Sequence, residues 1–200
     1  MRALSPCCLL LALACAPQLE PSAFGAGYSP QGGTFDAAAA CASFRTLTAA
    51  DARTESTAGR HYLESDPAKY YPISMEGDVP AMLKKAARLA FQLAALGQSD
   101  QSRADIKLAL VSLVMEEKTT RNSRYSATLV LDAQVLNRDT QQVAWQGRKS
   151  GQGENYGREG DAINYQETVS RALEAALAAL LHDPAFGSAL CHPDRTSPAP

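Results

Sequence analysis

Between Tyr125 and Val135 apolar residues recur at every second position: Tyr125, Ala127, Leu129, Leu131, Ala133 and Val135. Ser126, Thr128, Asp132 and Gln134 fall between them. Successive side chains of a strand point to opposite faces, so this run reads as a β-strand with one buried face and one wet face. Such a sheet must cover its apolar side, and the simplest cover is a layer of helices.

Two segments carry helical spacing. Asp78 has the chemistry of an N-cap, with Pro80 in the first turn. Val79, Leu83, Ala86, Ala90 and Leu93 then line one side, predicting a helix that continues to Leu96 and stops at Gly97. In the second segment Asn164 and Glu167 are spaced as a capping box, and Val169, Leu173, Ala176 and Leu180 form the buried line. That helix ends before Asp183-Pro184.

Other strands are weaker. "SFRTLTAADAR" offers a first strand around Phe44 and Leu47. Ile106, Leu108 and Leu110 share one face of the next. The alternation blurs after Ser112, as it would at a bulge or in a strand covered on both faces. Asn137 to Thr140 make a hairpin turn into a return strand, with Val143 and Trp145 inward. Residues 54–77 read as irregular. The expected fold is α+β in the order strand, helix, three antiparallel strands, helix, with two helices packed on one face of a small mixed sheet. A single domain is expected over 41–191, with a loose tail over 192–200.

The N-terminus carries a different message. Arg2 gives a positive start, Cys7 to Ala14 is apolar, and Ala12-Leu13-Ala14 is a small-x-small cleavage site. Residues 1–14 are therefore expected to be a removable leader of the lipoprotein type, with the cut directly before Cys15. Residues 15–40, with Pro17, Pro21, Pro30 and scattered glycines, read as a flexible tether of roughly 25 to 30 Å r.m.s. span. Removing the leader also discards Cys7 and Cys8. If Cys15 is lipidated, Cys41 and Cys191 remain as an even pair in an oxidising space. They can form a disulfide stapling the two ends of the domain, or stay as two free thiols, and a free-thiol count separates the two.

At 46% hydrophobic the chain can bury a core, and a net charge of −2 gives no push toward nucleic acid. "GRKSGQGENYG", Gly147 to Gly157, has the setting of a phosphate cradle but neither the G-x-G-x-x-G spacing nor a GK[ST]. It is expected to be a flexible crossover loop. His61, His182 and His192 stand in no metal-ligand spacing, and Glu116 and Glu117 point to opposite faces of a strand. No catalytic residue, metal ligand or cofactor is assigned. Basic residues gather at Lys84, Lys85 and Arg88, at Lys118, Arg121 and Arg124, and at Arg148 and Lys149. They can meet anionic lipid or glycan, or form an ordinary solvated surface among interspersed acids.

Two resemblances follow. A leucine-rich run, small residues and then Cys15 resembles the lipobox of bacterial lipoproteins, with Ala12 where Leu is usual. It implies diacylation of the Cys15 thiol and a membrane-lipid partner, which suits stable anchoring by two or three acyl chains. Ala16, rather than Asp, after the cysteine implies the periplasmic face of the outer membrane. Residues 43–190 resemble the YajG family of bacterial lipoproteins. The shared features are Asp51 and Arg53, then Tyr71-Pro72-Ile73, then "LAALG" at Leu93–Gly97. The run Tyr125 to Ala133 and "LLHDPAF" at Leu180–Phe186 complete them. The resemblance implies a non-catalytic envelope lipoprotein that binds an envelope protein or glycan partner. The alternatives are an accessory subunit of an envelope transport or assembly complex and, last, a periplasmic enzyme.

Overall fold

The computed structural model describes residues 22–195 apart from 56, 64, 65, 120 and 121. The leader 1–14, Cys15, Arg121 and the last five residues of the tail lie outside the described residues.

The described residues form an α+β fold, with three helices and a mixed seven-stranded sheet. In chain order the elements are β1 (Ser22–Gly25), β2 (Ser43–Phe44), β3 (Thr46–Asp51), β4 (Thr57–Leu63) and β5 (Asp66–Glu76). Then come α1 (Val79–Leu93), β6 (Gly97–Gln98), β7 (Ala104–Lys118), β8 (Ser123–Asn137), β9 (Val143–Gly157), α2 (Ala162–Leu181) and α3 (Pro184–Cys191). The large sheet runs β1-β5-β4-β7-β8-β9, with β3 also on β7, and β2 and β6 form a separate small pair.

The core lies between the helices and one face of this sheet. Tyr125, Ala127, Leu129, Leu131, Ala133 and Val135 are all buried, as their alternation requires. Asp78 caps α1 by accepting from the Ala81 amide at 2.8 Å. Val79, Met82, Leu83, Ala86, Ala87, Ala90 and Phe91 form the buried side of α1. The register shift between Leu110 and Ser112 is the irregularity that the blurred alternation marks.

Residues 54–77 are not irregular but hold β4 and β5, an antiparallel pair. Their alternation is hidden by a register shift on each side of the pairing and by Pro72 within β5. Residues 22–40 are not a free tether. β1 joins the sheet parallel to β5, Phe24 and Tyr28 are buried, and Glu174 on α2 holds the segment. Its carboxylate accepts from the Tyr28 hydroxyl at 2.7 Å and from the amides of Gln31 at 2.7 Å and Gly33 at 2.9 Å. α1 ends at Leu93, short of Leu96, and Ala95 takes the left-handed conformation, φ 55°, expected of Gly97. α2 starts from Asp161, which accepts from the Ile163 amide, rather than from Asn164. A shift between Val135 and Leu136 turns Val143 outward and Ala144 inward. Asp194 is tied to Asn137 at 2.6 Å and Arg103 at 2.8 Å, so the tail is held through that point.

Gly147 to Gly157 is the largest correction. It is the body of β9, not a loop. Gly151 and Gly153 face α2, where an added β-carbon would stand 2.0 Å from the Ala172 carbonyl oxygen and 2.3 Å from that of Thr168. The glycines let helix backbone sit directly on strand backbone, and no other residue leaves room for that approach.

Candidate functional site

Because the helices cover one face, the other face of the sheet stays open. β3 and β4 each pair in parallel with β7, β3 along Asp105–Leu110 and β4 along Met115–Lys118. Between these two runs the parallel pairing along β7 is interrupted, and a groove of about 630 Å³ lies beside β7 at this break. Arg60 and Tyr62 from β4, Tyr70 and Pro72 from β5, and Val114 and Glu116 from β7 line it. β4 lies close to β7 because Gly59 has no side chain; a β-carbon there would stand 2.0 Å from the Met115 carbonyl oxygen.

The groove mixes aromatic and charged groups. The Arg60 guanidinium lies 4.5 Å from the centre of the Tyr70 ring, a cation–π stack. The Tyr62 and Tyr70 rings are 6.0 Å apart. A hydrogen bond with the Tyr62 side chain, with Tyr70 nearby, holds the Arg60 guanidinium above its ordinary value. Tyr70 and Val114 are about half exposed, at 49% and 54%. A shallow site with flat rings, one fixed cation and a neighbouring carboxylate suits reversible binding.

Directly behind it, on the helix side, lies a buried polar cluster. Glu117, fully buried, accepts from the Tyr165 hydroxyl and from the Gly160 amide at 3.0 Å. His61 Nδ1 stands 3.6 Å from Glu117 Oε2, and its Nε2 lies 2.8 Å from Thr119 Oγ1 and 3.2 Å from Glu159 Oε1. Burial, then the bond to Glu117, pushes the Tyr165 hydroxyl far above its usual range, so it stays a donor. His61 and Tyr165 are 2% and 0% exposed, out of reach of a solute. The cluster ties the start of α2 to the end of β7.

Of the residues singled out from sequence, Cys41 and Cys191 are brought together in a disulfide, S–S 2.01 Å and Cα–Cα 5.2 Å, across a separation of 150 residues. Glu116 faces the groove and Glu117 the core. Lys118 and Arg124 are register partners on the open face, paired with Glu116 at 3.5 Å and Glu154 at 2.5 Å. Arg148 pairs with Asp132 at 2.6 Å and Lys149 with Asp183 at 2.7 Å. Among the described residues no cluster of His, Cys, Asp and Glu could hold a metal ion. No helix there is long and apolar enough to cross a membrane. Sequence reasoning missed Arg60, Tyr62 and Tyr70, whose signal was two aromatic-rich runs either side of a turn, "GRHYL" and "KYYPI".

No family model matches the chain, and no curated protein matches it. Among solved structures it is similar to a DUF330-family protein from Xanthomonas campestris, at 13% identity over 84% of this chain and 95% of that one, TM-score 0.45. It is also similar to a candidate lipoprotein from Caulobacter crescentus, at 16% identity over 58% of this chain and 86% of that one, TM-score 0.40. A third is a lipoprotein, GNA1162, from Neisseria meningitidis, at 11% identity over 57% of this chain and 84% of that one, TM-score 0.27.

Proposed function

We propose that this chain is a non-catalytic lipoprotein of the bacterial envelope, YajG-like, held by acylated Cys15 on the periplasmic face of the outer membrane. Its open sheet face serves as the binding surface for an envelope partner. The observation that carries the reading is the apolar run Cys7–Ala14 placed directly before Cys15. The groove beside Arg60 and Tyr70 supports it, since it offers aromatic and charged contacts without a convergent set of catalytic groups. The test is palmitate labelling with membrane fractionation of wild type against Cys15→Ser. Label and membrane retention lost together in the variant support the reading. A wild type that takes no label, with a variant still membrane-bound, refutes it.

A second reading, an accessory subunit of an envelope transport or assembly complex, draws on β9. This strand has 15 residues and stands at the end of the strand order. A long edge strand is a template for pairing with another chain. Cross-linking in membranes from a cysteine placed at Gln152, on the exposed side of β9, separates the two: a single adduct with a transport or assembly protein favours this reading.

A further inference from the structure

The sheet register sets out a row of side chains extending well beyond the groove. Tyr156 on β9 lies opposite Arg124 on β8, and Arg124 opposite Lys118 on β7. Lys118 lies opposite Tyr62 on β4, and Tyr62 opposite Tyr70 on β5. Residues directly opposite in a sheet project to the same face, so all five stand on the open side. Four strand spacings make the row about 19 Å wide. Tyr156 and Tyr70 are 62% and 49% exposed, and the Lys118 and Arg124 side chains 63% and 51%. Rings with a polar tip, flanking a pair of long cationic side chains on aliphatic stems, are the chemistry of a lipid headgroup boundary.

The path of the chain decides which end of the sheet meets the anchor. β1 runs parallel to β5, with Ser22 opposite Ile73, so Ser22 is the end of β1 that lies toward the start of β5. Cys15 is seven residues before Ser22, a reach of at most about 24 Å. From Ile73 up to Asp66 is also seven steps, about 23 Å of strand. The opposite end is farther. Ile73 is level, through Gly59 and Met115, with Ala127, and Asn137 lies ten residues below that, about 33 Å away. A lipid on Cys15 thus reaches a membrane past the row and falls short past the far end.

We propose that the row Tyr156–Arg124–Lys118–Tyr62–Tyr70 rests on the phospholipid headgroups of the leaflet that holds Cys15, so that the groove opens at the membrane surface. This rests on the acylation of Cys15 proposed above. The two cations of the row are locally balanced, Arg124 by Glu154 and Lys118 by Glu116. The contact is therefore made by tyrosine rings and aliphatic stems, and salt weakens it little.

The test uses the acylated full-length protein in vesicles of phosphatidylethanolamine and phosphatidylglycerol, with and without bromine on the upper acyl chains. Flotation of the protein with the vesicles reports the anchor. Added fluorescence from Tyr156→Trp is compared with that from Gln142→Trp at the far end. The native Trp145, 7% exposed, adds the same background to both. Brominated lipid is expected to quench the Tyr156→Trp signal by about half and leave Gln142→Trp unchanged, since interfacial aromatics sit at headgroup depth. Equal quenching, or none, in a protein that floats overturns the orientation and leaves the anchor standing. A protein that does not float removes the anchor and the orientation with it.

Discussion

Gly151 on β9 lies so close beneath Ala172 on α2 that an added β-carbon would stand 2.0 Å from the Ala172 carbonyl oxygen and 2.4 Å from the Ala176 nitrogen. Both neighbours are helix backbone, which cannot move aside as a side chain can. Gly151→Ala is expected to destabilise the fold by about 3 kcal/mol, the upper part of the range for overpacking. Gly25→Ala, where nothing lies within 4 Å, is the control and is expected to change stability by less than about 0.5 kcal/mol. Urea denaturation of the two variants reads the difference.

This contact also shows why the sequence was partly opaque. Glycines at 147, 151, 153 and 157 locally mimic a loop. Only the helix packed on them reveals that they are a strand, and that helix is contributed by later residues. β8 was legible because its alternation is self-contained from Tyr125 to Val135. The Asp78 cap was legible because capping is a local hydrogen bond. β1 was not, because four residues, "SAFG", in a Pro- and Gly-containing stretch become a strand only against β5. Arg60 and Tyr70 of the groove went unseen with the β4–β5 pair that carries them.

Glu174 tests the placement of the N-terminal segment. Glu174→Ala leaves the Tyr28 hydroxyl and the Gln31 and Gly33 amides without their acceptor. The expected cost is about 3 kcal/mol, with loss of hydrogen-exchange protection at Gln31 and Gly33. A free tether over these residues would show no protection in wild type to lose.

The Cys41–Cys191 bond closes a separation of 150 residues, for which a chain-entropy treatment allows about 5 kcal/mol. The mature, unreduced protein is expected to show no free thiol, and Cys41→Ser with Cys191→Ser to unfold at clearly lower urea. Two reactive thiols in the native protein would contradict the pairing.

Asp183 caps α3, accepting from the Ala185 amide at 2.8 Å, and pairs with Lys149 at 2.7 Å. Burial pulls its carboxyl upward, but the Lys149 and Ala185 hydrogen bonds prevail and hold it below the usual carboxylate value. The stabilisation is therefore present above the unfolded carboxylate pKa, near about 3.9, and is lost as pH falls through the lower folded value. Asp183→Ala is expected to cost about 1–2 kcal/mol at neutral pH. The gap to wild type should narrow on acidification below about pH 4 in matched thermal melts.

The most direct measurement on the central claim is the mass of the N-terminal peptide from protein extracted from membranes. The expected peptide begins at Cys15, with diacylglycerol on sulfur and an acyl chain on the new amine. A peptide that begins elsewhere, or that carries Cys15 as a free thiol, would contradict the lipid anchor.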